Sequence, residues 1–184
     1  MYNKIKENLL FECNEALSAV SEDSTNELIN LLLSEKRVFF VGVGRVLLSL
    51  EAFAKRLAHL GIETHIVGEI TEPALREGDI LIIGSGSGES LFPKAIAQKA
   101  KSLGAKVVMI GSNAKSTIAS IADLMVRVPT NTKMNCEDEI ESKQVMTSLF
   151  EQFLLLYGDI VASMIVEIKN LDIHSLWECH ANLE

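Results

Sequence analysis

Asp79-Ile80-Leu81-Ile82-Ile83 runs directly into Gly84-Ser85-Gly86-Ser87-Gly88-Glu89-Ser90. The first part is short and continuously apolar, which is typical of a parallel strand buried on both faces. The second part places three hydroxyls between glycines and precedes a helical segment, so backbone N–H groups converge at the positive end of a helix. This combination favours a phosphate monoester, bound by Ser85, Ser87 and Ser90. The alternative is an ordinary loop with a serine helix cap at Ser87 or Ser90.

Apolar strand segments and helical segments alternate on both sides of this stretch. The alternation predicts an α/β fold, in which helices cover both faces of a parallel sheet. We expect strands at 37–41, 62–67, 79–83, 106–110 and 124–128. We expect two helices within 1–34 and further helices at 46–60, 91–103, 116–122 and 144–169. A single domain is predicted over 1–184, with N-terminal helices at 1–35, a doubly wound core at 36–128, and a long helix and tail at 143–184.

A second glycine-rich turn, Gly42-Val43-Gly44-Arg45, follows the first predicted strand. A dinucleotide-binding fingerprint would need glycine or alanine at the position of Leu47, so that strand and helix could pack closely. The alternative is a tight turn that needs Gly42 and Gly44 for its backbone angles and that also lets a ligand approach. Arg45 is a candidate for neutralising a phosphate or steering sugar hydroxyls, with a surface ion pair as its alternative role.

The composition restricts the class of partner. Seventeen Lys and Arg against 25 Asp and Glu give a net charge of −8, which argues against nucleic acid and anionic membrane surfaces as partners. Cys13, Cys136 and Cys179 share no CxxC spacing, which favours free thiols in a reducing cytoplasm. The histidine spacings predict no metal site. No uninterrupted apolar run reaches the ~18 residues of a membrane-spanning helix.

Several segments resemble the SIS (sugar isomerase) superfamily and, within it, the 6-phospho-3-hexuloisomerase branch. The glycine–serine loop with its strand resembles the phosphate loop of the superfamily. The similarities to the branch follow the same order along the chain: GVGR at 42–45, AFAKRLAHLG at 52–61, HIVGEIT at 65–71, SLFEQFLLLYGD at 148–159 and HANLE at 180–184. SLFEQ and HANLE are the segments most specific to the branch.

The resemblance implies a three-layer, flavodoxin-like SIS domain whose five-stranded parallel sheet has the order 2-1-3-4-5. It also implies a homotetramer, no cofactor and no metal. The implied reaction interconverts D-arabino-3-hexulose 6-phosphate and D-fructose 6-phosphate through an enediol, in the ribulose monophosphate pathway. Independently, the segment 144–169 is apolar on more than one face, so we expect one face to meet another subunit in a dimer or tetramer.

Glu151 is the candidate base for such a proton transfer, which needs a base that can serve two adjacent carbons. It interrupts the most apolar predicted helix, where Gln144, Ser148 and Glu151 would share one face. Desolvation there could bring the carboxyl pKa towards a useful value. The SLFEQ resemblance implies the same catalytic role. The alternative is a glutamate at a helix end, or one paired with Arg45.

Two histidines are further catalytic candidates. His59 lies late in the predicted helix 46–60 and matches the HLG of the branch, with a packing role as its alternative. His180 opens HANLE, and a tail that ends in a specific polar segment could reach into a neighbouring subunit's site. A disordered C-terminus is the alternative for His180.

Two positions depart from the branch pattern. Val46 replaces the usual serine after GVGR, and Gln144-Val145-Met146-Thr147 stands where the branch has Gln-Pro-Met-Gly. Loss of a ligand hydroxyl at Val46 would cost on the order of 1 kcal/mol of affinity. Two alternatives therefore remain open: an isomerase of another phosphosugar, and a domain that binds a sugar phosphate without turning it over.

Overall fold

Five short strands form the centre of the protein in a computed structural model that describes residues 1–34, 37–133 and 138–183. They are β1 (Val38–Val41), β2 (Thr64–Ile66), β3 (Ile80–Gly84), β4 (Lys106–Gly111) and β5 (Leu124–Arg127). All neighbouring pairs are parallel, and the order across the sheet is β2-β1-β3-β4-β5. The predicted strand positions, the parallel sheet and the 2-1-3-4-5 order are confirmed.

Six α-helices of the described residues surround the sheet, and they are α1 (Tyr2–Ser18), α2 (Glu22–Ser34), α3 (Arg45–His59), α4 (Leu91–Ser102), α5 (Thr117–Ile121) and α6 (Ser148–Ile168). Side chains of β1 alternate between two cores because successive strand residues point to opposite faces. Phe40 packs in the core with α1, α2, α3 and α6, whereas Phe39 packs in the core with α4 and α5. The three-layer α/β architecture is thus confirmed.

The start of α6 differs from the prediction. The helix begins at Ser148, because Met146 adopts a left-handed conformation with φ 57° that interrupts regular helix before it. Gln144 is therefore not on the helix, and the expected polar face shared by Gln144, Ser148 and Glu151 was wrong. The Ser148 hydroxyl instead donates to the Val145 carbonyl at 2.7 Å.

The segment before α6 is fixed by a buried carboxylate on α1. Glu12 is 6% exposed and accepts hydrogen bonds from the Ser142 hydroxyl at 2.6 Å and the Lys143 N–H at 3.1 Å. Burial acts to raise the pKa of Glu12, but these hydrogen bonds outweigh it and hold the pKa below its ordinary value. The α1 helix thus holds in place the chain that leads into α6.

Helix α6 packs along α3 in the first core. Gly158 allows this approach, because a Cβ added there would lie 2.7 Å from the Phe53 ring. Within the described residues, α6 is also the one helix long and apolar enough to cross a membrane. More than half of its most apolar window is buried inside the fold, as expected for the core helix of a soluble protein.

Candidate active site

The loop 84–90 follows β3 at the carboxyl edge of the sheet, where ligands of open α/β sheets bind. Ser85 is buried, and its hydroxyl accepts the Gly88 N–H at 3.0 Å, so this serine fixes the loop from inside. The Ser87 hydroxyl accepts the Glu89 N–H at 3.3 Å. Ser90 occupies the cap position of α4, yet its hydroxyl caps no backbone N–H of the described chain. Neither Ser87 nor Ser90 is an ordinary helix cap.

A second loop, after β4, supports the first one. Gly86 accepts two N–H groups through its carbonyl, from Ser112 and Asn113, each at 3.1 Å. The Asn113 side chain donates to the Ser87 carbonyl at 3.3 Å. Gly88 has φ 65° and approaches Ser116 so closely that a Cβ would lie 2.0 Å from the Ser116 hydroxyl oxygen. The loop after β4 therefore supports the backbone of the glycine–serine loop. No role had been predicted from the sequence for Ser112, Asn113 or Ser116.

Glu89 is the one acidic residue in the loop, and its carboxylate is bound by neighbouring donors. Its carboxylate accepts the Thr117 N–H at 2.6 Å, the Thr117 hydroxyl at 3.0 Å and the Lys94 ammonium at 3.0 Å. These interactions, led by the Thr117 N–H, lower the pKa of Glu89. Glu89 therefore anchors α5 and offsets the charge of Lys94, which sequence analysis had not identified.

The glycines at the ends of β1 and β3 allow α3 to approach the sheet. A Cβ on Gly84 would lie 2.9 Å from both Val46 Cγ1 and Leu50 Cδ1, and one on Gly42 would lie 3.0 Å from Leu50. Gly44 precedes α3 with φ 59°. The structure therefore places Gly42 in a packing role and Gly44 in the turn, while the Val46 side chain packs against both strand ends.

Glu151 lies in the first turn of α6 and is 8% exposed. Arg45 Nε donates to its Oε2 at 2.5 Å, and the Thr147 hydroxyl donates to its Oε1 at 3.1 Å. The Ser49 hydroxyl donates to its backbone carbonyl at 2.8 Å. The ion pair foreseen as an alternative role for Glu151 is thus present. Arg45 itself is 67% exposed, so it presents positive charge to solvent at this edge.

The start of α6 lies beside the glycine–serine loop. A Cβ on Gly86 would lie 3.8 Å from the ring of Phe150, the residue next to Glu151. Arg45 begins α3 directly after β1, the strand paired with β3. The structure therefore brings Glu151, Arg45 and the loop together at one edge of the sheet.

His59 and His180 form a second cluster. Their rings stack with centroids 5.3 Å apart, and the Trp177 ring lies 5.3 Å from that of His180. Trp177 belongs to a short 3-10 helix (Ser175–Cys179) in the tail. Cys136 and Glu184, which figured in the sequence predictions, lie outside the described residues.

The environment of the second cluster favours the neutral form of His59. Burial lowers the pKa of His59, and repulsion from the charges of Lys55 and Arg56 lowers it further. Its Nε2 is buried and has no hydrogen-bond partner among the described residues. Beside the two rings is a cavity of about 490 Å³ between α3, α6 and the tail, lined by Arg56, Asp159, Glu167 and Trp177 among others.

The two clusters lie at opposite ends of α3. Arg45 is the first residue of this helix and His59 the last, which separates them by about 20 Å at ~1.5 Å per residue. Within one chain, Glu151 contacts Arg45 and His59 contacts His180, but the two pairs lie apart. Across 1–34, 37–133 and 138–183, no three His, Cys, Asp or Glu residues are grouped as metal ligands.

The fold and the loop together define an SIS domain, and the SIS domain family model matches residues 31–156. The chain belongs to the SIS domain family. Within that family it belongs to the 6-phospho-3-hexuloisomerase branch, as its relatives show. A Bacillus subtilis 3-hexulose-6-phosphate isomerase is 42% identical over 96% of this chain and 95% of its own. A Methylomonas aminofaciens 3-hexulose-6-phosphate isomerase is 34% identical over 99% of both chains.

Comparison with solved structures agrees with this assignment. A Methanococcus jannaschii protein, whose crystal structure led to an inferred function of 3-hexulose-6-phosphate isomerase, superposes with a TM-score of 0.84. The two sequences are 27% identical, and the match covers 98% of this chain and 99% of the other. The flavodoxin-like arrangement of the sheet is therefore shared along nearly the whole chain.

Proposed function

We propose that this protein is a 6-phospho-3-hexuloisomerase, which interconverts D-arabino-3-hexulose 6-phosphate and D-fructose 6-phosphate. The observation that carries the proposal is the buried Glu151 carboxylate beside the glycine–serine loop. Its near-full-length relatives with this name supply the substrate class. We further propose that the protein works in the cytoplasm, within the ribulose monophosphate pathway.

The loop would bind the phosphate and set the position of the sugar. The hydroxyls of Ser87 and Ser90 and the first N–H groups of α4 supply donors at the positive end of a helix. Exposed Arg45 adds positive charge at the same edge. Ser85 acts through the loop backbone, because its hydroxyl is turned inward towards Gly88.

Glu151 would move the proton between the two reacting carbons. The carboxylate removes the proton from C2 of the 3-hexulose, which leaves an enediolate across C2 and C3. It then returns the proton to C3, while a proton passes from the C2 oxygen to the C3 oxygen, so that the carbonyl ends at C2. An imidazole can donate and accept protons in that second transfer, and His59 and His180 are the candidates.

Glu151 pairs with Arg45 at one end of α3, and His180 stacks on His59 at the other end, about 20 Å along the helix. We therefore propose that the two histidines act in the site of a neighbouring subunit. Exposed apolar side chains support an oligomer, either a homotetramer or a dimer. They are Tyr2, Ile5, Leu10 and Phe11 on α1, and Leu155, Leu156 and Ile160 on α6. Large apolar side chains exposed on two helices that pack together favour a surface covered by another subunit.

Replacement of the proposed base tests the chemistry. Glu151→Gln keeps the shape of the side chain and removes the proton acceptor, so turnover should fall by about 10²- to 10⁴-fold while fructose 6-phosphate still binds. Calorimetry with fructose 6-phosphate and a coupled assay of both directions measure the two effects. Full activity in Glu151→Gln would show that another group is the base. The same assay after treatment with EDTA tests the proposed independence from metals.

Mixed oligomers test the shared site. Chains with Glu151→Gln and chains with His59→Ala should each be inactive alone. When the two variants are unfolded and refolded together, some sites combine an intact Glu151 from one chain with an intact His59 from the other. Recovery of activity would support the interface site, whereas a mixture as inactive as its parents, with oligomers shown by light scattering, would contradict it.

Val46 favours a second candidate, an isomerase of another phosphosugar. The position has no hydroxyl, and the side chain packs against Gly42 and Gly84 instead of presenting a polar group. Turnover measured over a panel of ketose and aldose phosphates separates the two candidates. Binding of fructose 6-phosphate with no turnover of any member of the panel would instead favour a non-catalytic sugar-phosphate-binding domain.

A further inference from the structure

Glu151 is held by a second donor that the sequence pattern did not single out. The Thr147 hydroxyl lies 3.1 Å from Oε1, on the opposite side of the carboxylate from Arg45 at Oε2. The two donors come from different parts of the chain, since Thr147 precedes α6 and Arg45 begins α3. Each carboxylate oxygen therefore has its own donor.

The position of Thr147 makes this contact unusual. Thr147 is the N-cap residue of α6, and a threonine there ordinarily accepts a hydrogen bond from an N–H of the first turn. In the described structure its side chain makes no such cap bond. The Phe150 N–H, which a cap side chain would ordinarily receive, donates to the Thr147 carbonyl at 3.1 Å instead. The Glu151 N–H donates to the same carbonyl at 3.3 Å as the first bond of the helix. The hydroxyl is therefore available to the carboxylate rather than to the helix end.

Two hydrogen-bond donors restrict the Glu151 carboxylate more than one donor would. A carboxylate held at one oxygen can still rotate about its last side-chain bond, whereas donors at both oxygens fix the plane of the group. An ionised carboxylate has about four acceptor sites, so two remain for a substrate proton. Catalysis requires such a group to be held close to its productive geometry.

We propose that Thr147 is a positioning residue that fixes the carboxylate plane of Glu151, an inference that rests on the proposed role of Glu151 as the base. Thr147 acts through Glu151 and not on the sugar. Its loss should therefore lower kcat and leave KM nearly unchanged. The effect depends on the hydroxyl and not on the shape of the side chain.

Three variants test this inference. Thr147→Val keeps the branched shape and removes the hydroxyl, and since a hydrogen bond to a charged group is involved, kcat should fall at least about tenfold. KM should stay within about twofold. Thr147→Ser keeps the hydroxyl and should restore most of kcat. Ser148→Ala is the matched control, because it removes a neighbouring hydroxyl that bonds only the Val145 carbonyl among the described residues.

Other readouts separate positioning from stability and from the proposed function. The Tm of Thr147→Val should match that of the wild type, and a large fall would indicate a structural role. Wild-type kcat in Thr147→Val, or a Thr147→Ser variant as slow as Thr147→Val, would overturn the inference while the isomerase proposal stands. In the Glu151→Gln background, Thr147→Val should cause no further loss. If the wild-type protein turns over no hexulose phosphate, the proposed function fails first, and this inference falls with it.

Discussion

A single methyl group at Gly88 offers a stringent test of the loop architecture. Gly88 has φ 65°, a conformation that costs an L-residue about 1–2 kcal/mol. An added Cβ would also lie 2.0 Å from the Ser116 hydroxyl oxygen and 2.8 Å from Met109 Cε. Ser116 is buried and cannot yield freely, because its hydroxyl accepts the Ala119 N–H at the start of α5.

The expected loss of stability in Gly88→Ala is the sum of three costs. The left-handed backbone costs about 1–2 kcal/mol, displacement of the Ser116 cap costs about 1 kcal/mol, and overpacking adds about 1–3 kcal/mol. The free energy of unfolding should therefore fall by about 3–6 kcal/mol. At ~2–4 °C per kcal/mol for a chain of this size, Tm should fall by about 6–24 °C.

Gly61→Ala is the matched control for Gly88→Ala. Gly61 also has a positive φ, 79°, but an added Cβ there would meet no atom of the described structure within 4 Å. This variant should lose only the backbone cost of about 1–2 kcal/mol. Urea unfolding and thermal melts at one protein concentration compare the three proteins. If Gly88→Ala loses no more stability than Gly61→Ala, the close contact between Gly88 and Ser116 does not contribute to stability, and the prediction is wrong.

Two further predictions concern stability. The pKa of Glu12 is lowered in the folded state, so below about pH 4.5 the unfolded chain binds more protons than the folded chain. The free energy of unfolding should therefore fall as the pH drops below this value. Urea unfolding at several pH values measures the effect, and Glu12→Gln should flatten this part of the profile. Gly158→Ala should destabilise by about 1–3 kcal/mol although alanine favours helices, because its Cβ would overlap Phe53; a Tm equal to or above that of the wild type would contradict the packing of α6 on α3.

The fold was largely predictable because each central strand is a short, continuous run of apolar residues in the sequence. Ile80 to Ile83 and Val107 to Ile110 are buried on both faces, and continuous apolar sequence indicates such strands without any knowledge of their partners. The start of α6 was not predictable in this way. Met146 adopts a positive φ that its residue type does not suggest, so the sequence pattern extended the helix by one turn too many.

The candidate site was predictable in its residues but not in their grouping. The loop and Glu151 were identified from local patterns and a resemblance. The contact of Glu151 with Arg45 spans 106 positions of sequence and depends on how α3 and α6 cross. The same crossing places His59 at the far end of α3, away from Glu151. Thr147 was noted only as a departure from the branch, since nothing in the sequence shows where its hydroxyl points.

The packing of the tail gives the protein a built-in optical reporter. Trp177 is the only tryptophan in the sequence, and its ring lies 5.3 Å from that of His180. Indole fluorescence of the whole chain therefore originates from this one point, next to an imidazole that quenches it more strongly when protonated. The emission would therefore change, without any added label, in three events. These are release of the tail from the fold, assembly of subunits over it, and binding of a sugar phosphate at the histidines.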